Sequence, residues 1–333
     1  KRQTLYSAKL IIPVTGPVII DGAVAIHGDR VVHVGKRRWV LKALKQEMTA
    51  HGTIHERHWD GVLTPGLINA HTHLQYSGMV QVGQGTYDRF RAWELAFNEV
   101  YAEAQKTQPW KQWAEDGTRQ MVESGTTAAA DIVTDLDAAG ALASQGMHGI
   151  AYWEVMGWHN AEWMEKGRTE LIRQLRRMNE EQLPNLGISP HAPYTLESEP
   201  FVDLPDIARQ LNMRLHIHLA ETPLEAGTYP PVLTTYSAAD WSDHDWESYR
   251  QLKEVGKGAS AIQFVDQLGS LGPDVHIAHG VWANGEDRRI LRQRGVGVAL
   301  CPRSNRITNT GKDAPVREYL EEGNLVSVGT DSL

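Results

Sequence analysis

The stretch Gly-Leu-Ile-Asn-Ala-His-Thr-His-Leu at positions 66–74 is the first of eight short apolar runs that decide the fold. The others lie at 125–133, 149–157, 186–194, 215–222, 274–282, 295–302 and 325–332, with helix-like segments such as 91–106 and 161–179 between them. Short, nearly continuous apolar strands alternating with helices are typical of a parallel α/β sheet. Eight such units over roughly 270 residues predict a (β/α)₈ TIM-type barrel.

A doubly wound sheet is the structural alternative to the barrel. It would need a phosphate-binding turn, and no Gly-x-Gly-x-x-Gly motif opens a helix in this chain. Gly295 and Gly297 come closest, but their segment continues into Cys301-Pro302. The sequence therefore favours the barrel.

The first 35 residues alternate between apolar and polar positions, as strands do. Asp21-Gly22 and Gly28-Asp29 are turn signals, so this part predicts a small antiparallel sheet. Apolar residues near helical spacing predict a helix over 37–48. We expect a small β-sheet domain over 1–62 and the barrel over 63–333.

The two ends of the chain indicate a partial sequence. The chain begins at Lys1 rather than at a methionine, and it stops at Leu333, directly after the eighth apolar run. A (β/α)₈ barrel has a helix after each strand. We therefore expect a barrel truncated after strand eight, and a natural protein that continues.

Composition excludes several classes of protein. The 333 residues carry 33 Lys+Arg and 41 Asp+Glu, a formal charge of -8, which argues against a nucleic-acid-binding surface. No apolar run approaches the roughly 20 residues of a membrane span, and no signal-peptide core follows the first residues. Cys301 is the single cysteine, so no internal disulfide forms and a cytoplasmic location is expected.

The histidines are placed at strand ends, where barrel enzymes carry their functional residues. His71 and His73 end the first run, and a spacing of two puts both imidazoles on one face, as in half of a zinc site. His216 and His218 repeat this spacing on the fifth run. Spacing alone does not say which of the two is a ligand, but His218 lies nearer the barrel mouth.

Further polar residues end other strands. His191 ends the fourth run and His279 the sixth. Glu221 lies three residues beyond His218, where a carboxylate can reach a metal-bound water without binding the metal. Asp331 follows Gly-Thr on the eighth run. This position alone is weak evidence for a functional residue, because an Asp at a helix N-cap has the same sequence pattern. In a closed barrel the eighth strand lies beside the first, which strengthens the prediction that Asp331 belongs to the site.

Other candidates are weaker. His276 points to the opposite face from His279, so a core or helix contact is expected for it. Asp131 and Glu154 end the second and third runs and are either pocket or structural residues. A cluster of three histidines, at 51, 55 and 58, has spacings that suit a helix face but lies outside the barrel pattern, so we interpret it as a solvated surface segment. The sequence contains no Gly-x-Ser-x-Gly, P-loop or Cys-x-x-Cys motif that would indicate a different kind of catalytic site.

The residues at the strand ends resemble the amidohydrolase superfamily. Leu-His-Ile-His-Leu-Ala-Glu-Thr at 215–222, Cys-Pro-Arg-Ser-Asn at 301–305 and Gly-Thr-Asp-Ser at 329–332 look like its branch of aminohydrolases and chlorohydrolases acting on nitrogen heterocycles. That branch includes deaminases of cytosine, guanine, S-adenosylhomocysteine and aminofutalosine. Its members continue past the last of these motifs into an eighth helix and strands that complete the small sheet.

The resemblance implies a set of roles. One divalent metal would be held by His71, His73, His218 and Asp331. Glu221 and His279 would form the acid/base pair, and His191 would contact the substrate. Relatives with two metals bridge them with a modified lysine on strand four, and 186–194 contains no lysine, which predicts a single ion.

These roles predict a hydrolytic deaminase that releases ammonia. The metal is expected to be Zn²⁺, with Fe²⁺ as the alternative, and it would lower the pKa of a bound water. Asp331 would take a proton from that water, Glu221 would protonate the ring nitrogen and then the leaving amine, and His279 would hold the developing oxygen. Hydrolysis of a ring lactam or a carbon–halogen bond at the same site, and a catalytically inactive scaffold, remain as alternatives.

The substrate is expected to be a small, flat heterocycle. Aromatic residues just past strand ends could stack on it or merely pack against loops: Tyr76, Trp153, Trp158, Tyr194 and Trp282. Arg303, or Arg89 and Arg91, could meet an acidic tail. A purine-nucleoside-like compound, with aminofutalosine as one option, is the predicted substrate. Nucleic-acid and membrane partners are not expected, and the oligomeric state is left open, a homo-oligomer being one option.

Overall fold

Strand pairing divides the chain into an N-terminal sheet and a barrel. The computed structural model describes residues 2–48, 52–181, 183, 185–227 and 258–332. Two compact units result, Lys1–Leu67 and Ile68–Leu333. The domain boundary expected between residues 62 and 63 falls inside the strand Thr53–Leu63 of the first unit.

The first unit is a four-stranded sheet covered by one helix. Its strands are β1 (Arg2–Ile11), β2 (Ile19–His27), β3 (Arg30–Lys36) and β4 (Thr53–Leu63), in the order β3-β2-β1-β4. The first three pair antiparallel, whereas β4 pairs parallel with β1. Helix α1 (Arg37–Glu47) buries Val40 and Leu44 in a core with Leu5, Ala23 and Ala25.

Two expectations for this unit need correction. Only the Gly28 signal makes a turn between strands, because Asp21 and Gly22 lie inside β2, where Asp21 adopts a positive φ of 50°. The predicted surface histidines do not share a helix face, since His55 and His58 lie on β4 and are exposed; His51 lies outside the described residues. The strand was missed because 53–63 is mostly polar and only its backbone pairing with β1 reveals it.

The second unit is the predicted eight-stranded parallel barrel. Its strands are β5 (Leu67–Thr72), β6 (Thr126–Val133), β7 (His148–Val155), β8 (Leu186–Pro190), β9 (Leu215–Leu219), β10 (Val275–His279), β11 (Gly297–Leu300) and β12 (Leu325–Val328), paired in chain order. The N–H of Asp331 donates to the carbonyl of His71 at 2.9 Å, and Thr72 bridges Asp331, so the end of the last strand meets the first. The expected fold class is confirmed.

Helices between the strands are α2 (Val80–Gly83), α3 (Phe90–Ala104), α4 (Trp110–Glu123), α5 (Ala141–Ser144), α6 (Asn160–Glu162), α7 (Arg168–Glu180), α8 (Ser198–Gln210), α9 (Ala261–Gln267), α10 (Gly285–Arg294), α11 (Pro302–Ile307) and α12 (Val316–Glu321). A π turn, Trp163–Gly167, joins α6 to α7. Large apolar side chains such as Trp163, Met178, Phe201 and Leu204 fill the core between these helices and the sheet. Within the described part of the chain, no helix is long and apolar enough to cross a membrane.

Candidate metal centre and catalytic site

Four side chains that the sequence singled out as metal ligands meet at the carboxyl ends of the barrel strands. His71 is on β5 and His73 directly follows it, His218 is on β9, and Asp331 follows β12. The Nε2 atoms of His73 and His218 are 3.2 Å apart. Oδ1 of Asp331 lies 3.3 Å from Nε2 of His71 and 3.4 Å from Nε2 of His73.

These separations fit a tetrahedral metal site. Zinc with ligand bonds of about 2.0–2.1 Å places its ligand atoms about 3.3 Å apart. Nε2 of His71 is buried without a hydrogen-bond partner among the described residues, as expected of an atom whose partner is an ion. Burial lowers the pKa of His73 to about 3, and burial also lowers the pKa of His71 and His218, so the imidazoles are in the neutral form that binds metals.

Asp331 is held in place by the surrounding chain. Burial opposes its charge, but the adjacent ring of His71 holds the pKa of the Asp331 carboxyl below its ordinary value. Ser304 donates to its Oδ2 at 2.5 Å. Asp331 adopts a positive φ of 61°, a conformation that L-residues rarely occupy and that often marks functional sites.

The two histidines of β9 have different positions. Nε2 of His216 lies 3.3 Å from Nδ1 of His71 and 3.1 Å from the carbonyl of Ala70, one layer below the mouth. His218 is therefore the one whose Nε2 faces the metal donors. His216 is placed to orient His71 through its other ring nitrogen, which is how outer-shell partners support metal ligands.

His276 has the core contact predicted for it, but it does not face away from His279, because both side chains lie inside the barrel at different depths. His276 pairs with His216 across β9 and β10, and its Nε2 lies 3.2 Å from the hydroxyl of Ser327, inside the barrel. His279 reaches the metal donors because its φ of 76° breaks the alternation of the strand. One of its ring nitrogens lies within 4.8 Å of donor atoms of His71 and Asp331.

Glu221 and His279 form a buried pair beside the metal donors. Oε1 of Glu221 is 3.4 Å from Nε2 of His279, and its Oε2 accepts a hydrogen bond from the hydroxyl of Tyr194 at 2.9 Å. Burial raises the pKa of Glu221, which favours the protonated form of its carboxyl group. Burial opposes protonation of His279, but the charges of Glu221 and Asp331 raise its pKa, and its Nδ1 lies 2.9 Å from Oδ1 of Asn305.

A second glutamate holds the loop that carries Glu221. The carboxylate of Glu225 is fully buried and accepts the backbone N–H groups of Ala220, Glu221 and Thr222, each at 2.9 Å. Ala220 has a positive φ of 54°, so the chain turns sharply as β9 ends. Thr222 and Glu225 form the capping box of the short turn Pro223–Glu225. Sequence reasoning missed Glu225, although Thr-x-x-Glu at 222–225 is the signal of a capping box.

The candidate site opens into a cavity of about 180 Å³ lined by aromatic side chains. Tyr76 and Tyr194, both predicted, line it, and Tyr76 stacks on His73 with ring centroids 5.6 Å apart. The sequence did not identify three further lining residues of α3, namely Phe90, Trp93 and Phe97. Their spacing is that of a helix face, which by itself indicates core packing.

The predicted substrate contacts are distributed over several places. His191 lines the site cavity, with Nδ1 2.8 Å from the hydroxyl of Thr195, whereas Trp153 and Trp158 line an adjoining chamber. Arg303 is exposed and lines a third cavity, which shares His73 and Asp331 with the site. Trp282 packs against a loop instead, donating from Nε1 to the carbonyl of Thr310 at 2.8 Å.

The remaining candidates are also located. Arg91 pairs with Glu94 at 2.6 Å, and Arg89 lies 3.7 Å from Asp88. Asp131 has a structural contact, because its Oδ1 accepts the N–H of Leu74 at 2.9 Å and so supports the turn after His73. Cys301 is buried, as expected for a core thiol.

Comparison with known proteins agrees with the fold. The amidohydrolase family matches residues 62–229 and 233–333, and the chain belongs to this family. The 5-methylthioadenosine/S-adenosylhomocysteine deaminase of Moorella thermoacetica is 29% identical over 333 residues, which cover 96% of this chain and 68% of the relative. The chain thus spans about two thirds of the length of this relative.

Two solved structures share the architecture. The aminofutalosine deaminase of Helicobacter pylori has a TM-score of 0.74 at 19% identity, covering 98% of this chain and 76% of that one. An adenosine deaminase of Xanthomonas campestris, solved with bound zinc, has a TM-score of 0.72 at 21% identity, covering 98% and 69%. At these identities the likeness concerns the fold.

Proposed function

We propose that this chain is a metal-dependent hydrolytic deaminase of an adenine nucleoside, releasing ammonia. The observation that carries the proposal is the convergence of four metal donors and the Glu221–His279 pair at one end of the barrel. The names of the relatives, which are deaminases of adenosine-type nucleosides, support the substrate class. Aminofutalosine, 5′-methylthioadenosine and S-adenosylhomocysteine are the specific candidates.

One divalent ion, Zn²⁺ or alternatively Fe²⁺, would be held by His71, His73, His218 and Asp331. When bound, it supplies a water of lowered pKa as the nucleophile. The single-ion proposal rests on the four donors at tetrahedral spacing and on the absence of lysine from 186–194. His191, beside His218 with ring centroids 4.7 Å apart, is proposed to contact the ring of the substrate.

Glu221 is proposed as the proton carrier. Its raised pKa suits a carboxylic acid that protonates the ring nitrogen next to the attacked carbon, and Tyr194 fixes the direction of the carboxyl group. Glu221, left as a carboxylate, then takes the proton of the newly added hydroxyl group and passes it to the departing amine, and the proton held by Asp331 returns to Glu221. Asp331 accepts a proton from the attacking water, and His279, fixed by Asn305, holds the oxygen as it gains charge.

Metal analysis combined with an ammonia-release screen tests the proposal. The panel contains adenine nucleosides, free aminopurines, pterins, aminopyrimidines, a ring lactam and a chlorotriazine. We expect one metal equivalent per chain, and ammonia from adenine nucleosides above the other compounds. If only the lactam or the chlorotriazine is turned over, the reaction is a hydrolysis other than deamination. Two metal equivalents per chain would contradict the single-ion site.

A further inference from the structure

The closure of the barrel between β12 and β5 differs from the pairing of the other strands. These two strands lie at opposite ends of the strand order, and an isolated bridge between Thr72 and Asp331 joins them. Strand β12 ends at Val328, and the positive φ of Asp331 turns the chain away from the strand conformation. Backbone groups at this junction therefore need partners other than those of a regular ladder, because buried N–H and C=O groups must be paired.

The side-chain amide of Asn69 provides partners on both sides of the closure. Asn69 is buried on β5, two residues before His71. Its Oδ1 accepts the N–H of Thr330 at 3.1 Å and also lies 3.4 Å from the backbone nitrogen of His71. Its Nδ2 donates to the hydroxyl of Thr330 at 2.8 Å. The amide therefore pairs with Thr330 much as the backbone of a neighbouring strand would.

The contacts of Asn69 end on residues that are, or adjoin, proposed metal ligands. Thr330 directly precedes Asp331, whose N–H donates to the carbonyl of His71 at 2.9 Å. The hydroxyl of Thr72 donates to the carbonyl of Asp331 at 3.2 Å. Oδ1 of Asp331 and Nε2 of His71 are 3.3 Å apart, a separation that suits tetrahedral coordination. A displacement of Thr330 relative to β5 would change this separation.

An asparagine suits this position because its side chain both accepts and donates hydrogen bonds. Besides the hydroxyl of Thr330, its NH₂ group contacts the sulfur of Met121 on α4 at 3.3 Å. Asn69 is 7% exposed, so water has little access to replace these contacts. An apolar side chain at this position would offer Thr330 neither an acceptor nor a donor.

We propose that Asn69 is a positioning residue of the metal centre, and that it sets the separation between His71 and Asp331 by joining Thr330 to β5. Asn69 acts through the backbone of the two ligands and is not itself a ligand. Loss of an outer partner of a metal ligand typically costs about 10- to 100-fold in metal affinity. This inference rests on the proposed metal-dependent function and adds a residue outside the donor set that governs the affinity for the ion.

Zinc affinity, measured by competition with a chromogenic chelator, tests this role. We expect Asn69→Ala to bind zinc about 10- to 100-fold more weakly than the unmodified protein. Asn324→Ala is the matched control, because Asn324 is also 7% exposed, precedes the other end of β12 and donates to the carbonyl of Arg288 at 2.9 Å. Both variants should have a lower melting temperature as metal-free proteins, and only Asn69→Ala should lose zinc affinity.

Two variants of Thr330 extend the test to the partner of Asn69. Thr330→Val removes the hydroxyl that accepts from Asn69 and should also weaken zinc binding, by a smaller factor because the N–H of Thr330 keeps its acceptor. Thr330→Ser keeps a hydroxyl and should bind zinc nearly as the unmodified protein does. If Asn69→Ala does not fold, Thr330→Val decides the question in its place.

The outcomes separate this inference from the proposed function. If the unmodified protein binds zinc and Asn69→Ala binds it equally tightly, despite a lower melting temperature, Asn69 has only a structural role and the proposal is wrong. Equal losses of zinc affinity in Asn69→Ala and Asn324→Ala would also overturn it, because the effect would then follow from stability alone. An unmodified protein that binds no zinc would contradict the proposed metal-dependent function, and this inference with it.

Discussion

Glu221 has a buried carboxyl group with one oxygen bonded to Tyr194 and the other 3.4 Å from His279. The alternative role for this residue is that of a cap for the following turn. In the structure Thr222 is the N-cap and Glu225 completes the capping box, so Glu221 has no capping contact of its own there. Its side chain faces the site cavity instead.

We predict that Glu221→Gln lowers kcat by about 10²–10⁴-fold, because glutamine preserves size and hydrogen-bonding reach but does not transfer the proton. Metal content should stay unchanged, since Glu221 is not among the four proposed ligands. Metal content, melting temperature and kcat are measured on one preparation. Near-normal turnover with metal bound would remove Glu221 from the mechanism.

At the scale of elements, the loop after β9 is organised by Glu225. One carboxylate satisfies three consecutive N–H groups, including that of Glu221 itself. A glutamine has one acceptor oxygen, so its amide group would oppose at least one of these donors. Replacing Glu225 would therefore affect catalysis indirectly, by changing the position of the Glu221 carboxyl group.

Glu225→Gln is therefore predicted to lower kcat by about 10–100-fold with little change in KM or metal content, as expected of a positioning residue. Asp287→Asn is the matched control, because Asp287 also accepts a backbone N–H in a capping box, that of Asn284 on α10. The control should lose stability and keep its kcat. Equal effects of the two variants on kcat would show that Glu225 has only a structural role.

Closure of the barrel between β12 and β5 depends on Gly329. A Cβ at this position would lie 2.7 Å from the carbonyl oxygen of His71 and 2.8 Å from its Cβ. These are backbone and near-backbone atoms, so the strands themselves would have to move. The metal ligand His71 would move with them.

We predict that Gly329→Ala destabilises the protein by about 1–3 kcal/mol, the usual cost of overpacking, and also weakens metal binding. Gly140→Ala is the control, since among the described residues a Cβ there meets Leu183 alone, at 3.5 Å, and the backbone φ is -89°. Urea unfolding and metal titration measure the two effects. A Gly329→Ala protein with unchanged metal affinity would show that the closure tolerates a methyl group.

For the whole molecule, metal binding and folding should be linked, because the four proposed ligands come from β5, β9 and the segment after β12. An ion that binds only the folded state adds about 4 kcal/mol at 1,000 times its Kd. We predict that chelation lowers Tm and that adding Zn²⁺ restores it. His71→Ala should lose this response, whereas His55→Ala, an exposed change on β4, should keep it. A chelated protein with unchanged Tm would contradict the linkage.

The amino-acid sequence by itself determined the barrel and the proposed metal site. Eight apolar runs mark eight strands because buried parallel strands must be apolar along their length. A closed barrel brings the carboxyl ends of those strands together, so residues as far apart in sequence as His71, His218 and Asp331 were predicted to converge. Local spacing was sufficient to propose them as ligands, because the geometry of a closed barrel brings together strand ends that are far apart in the sequence.

Only the tertiary structure decided which other side chains join the site. The hydrogen bonds of Tyr194 to Glu221 and of Ser304 to Asp331, and the aromatic wall of the site cavity, depend on side-chain directions that no periodicity encodes. His279 reaches the metal donors through a positive φ, against the alternation that sequence patterns assume. Strand β4 was likewise missed, because mostly polar residues form it and its pairing with β1 leaves no mark in the sequence pattern. Such features arise from contacts between distant segments, and these contacts exist only once the chain has folded.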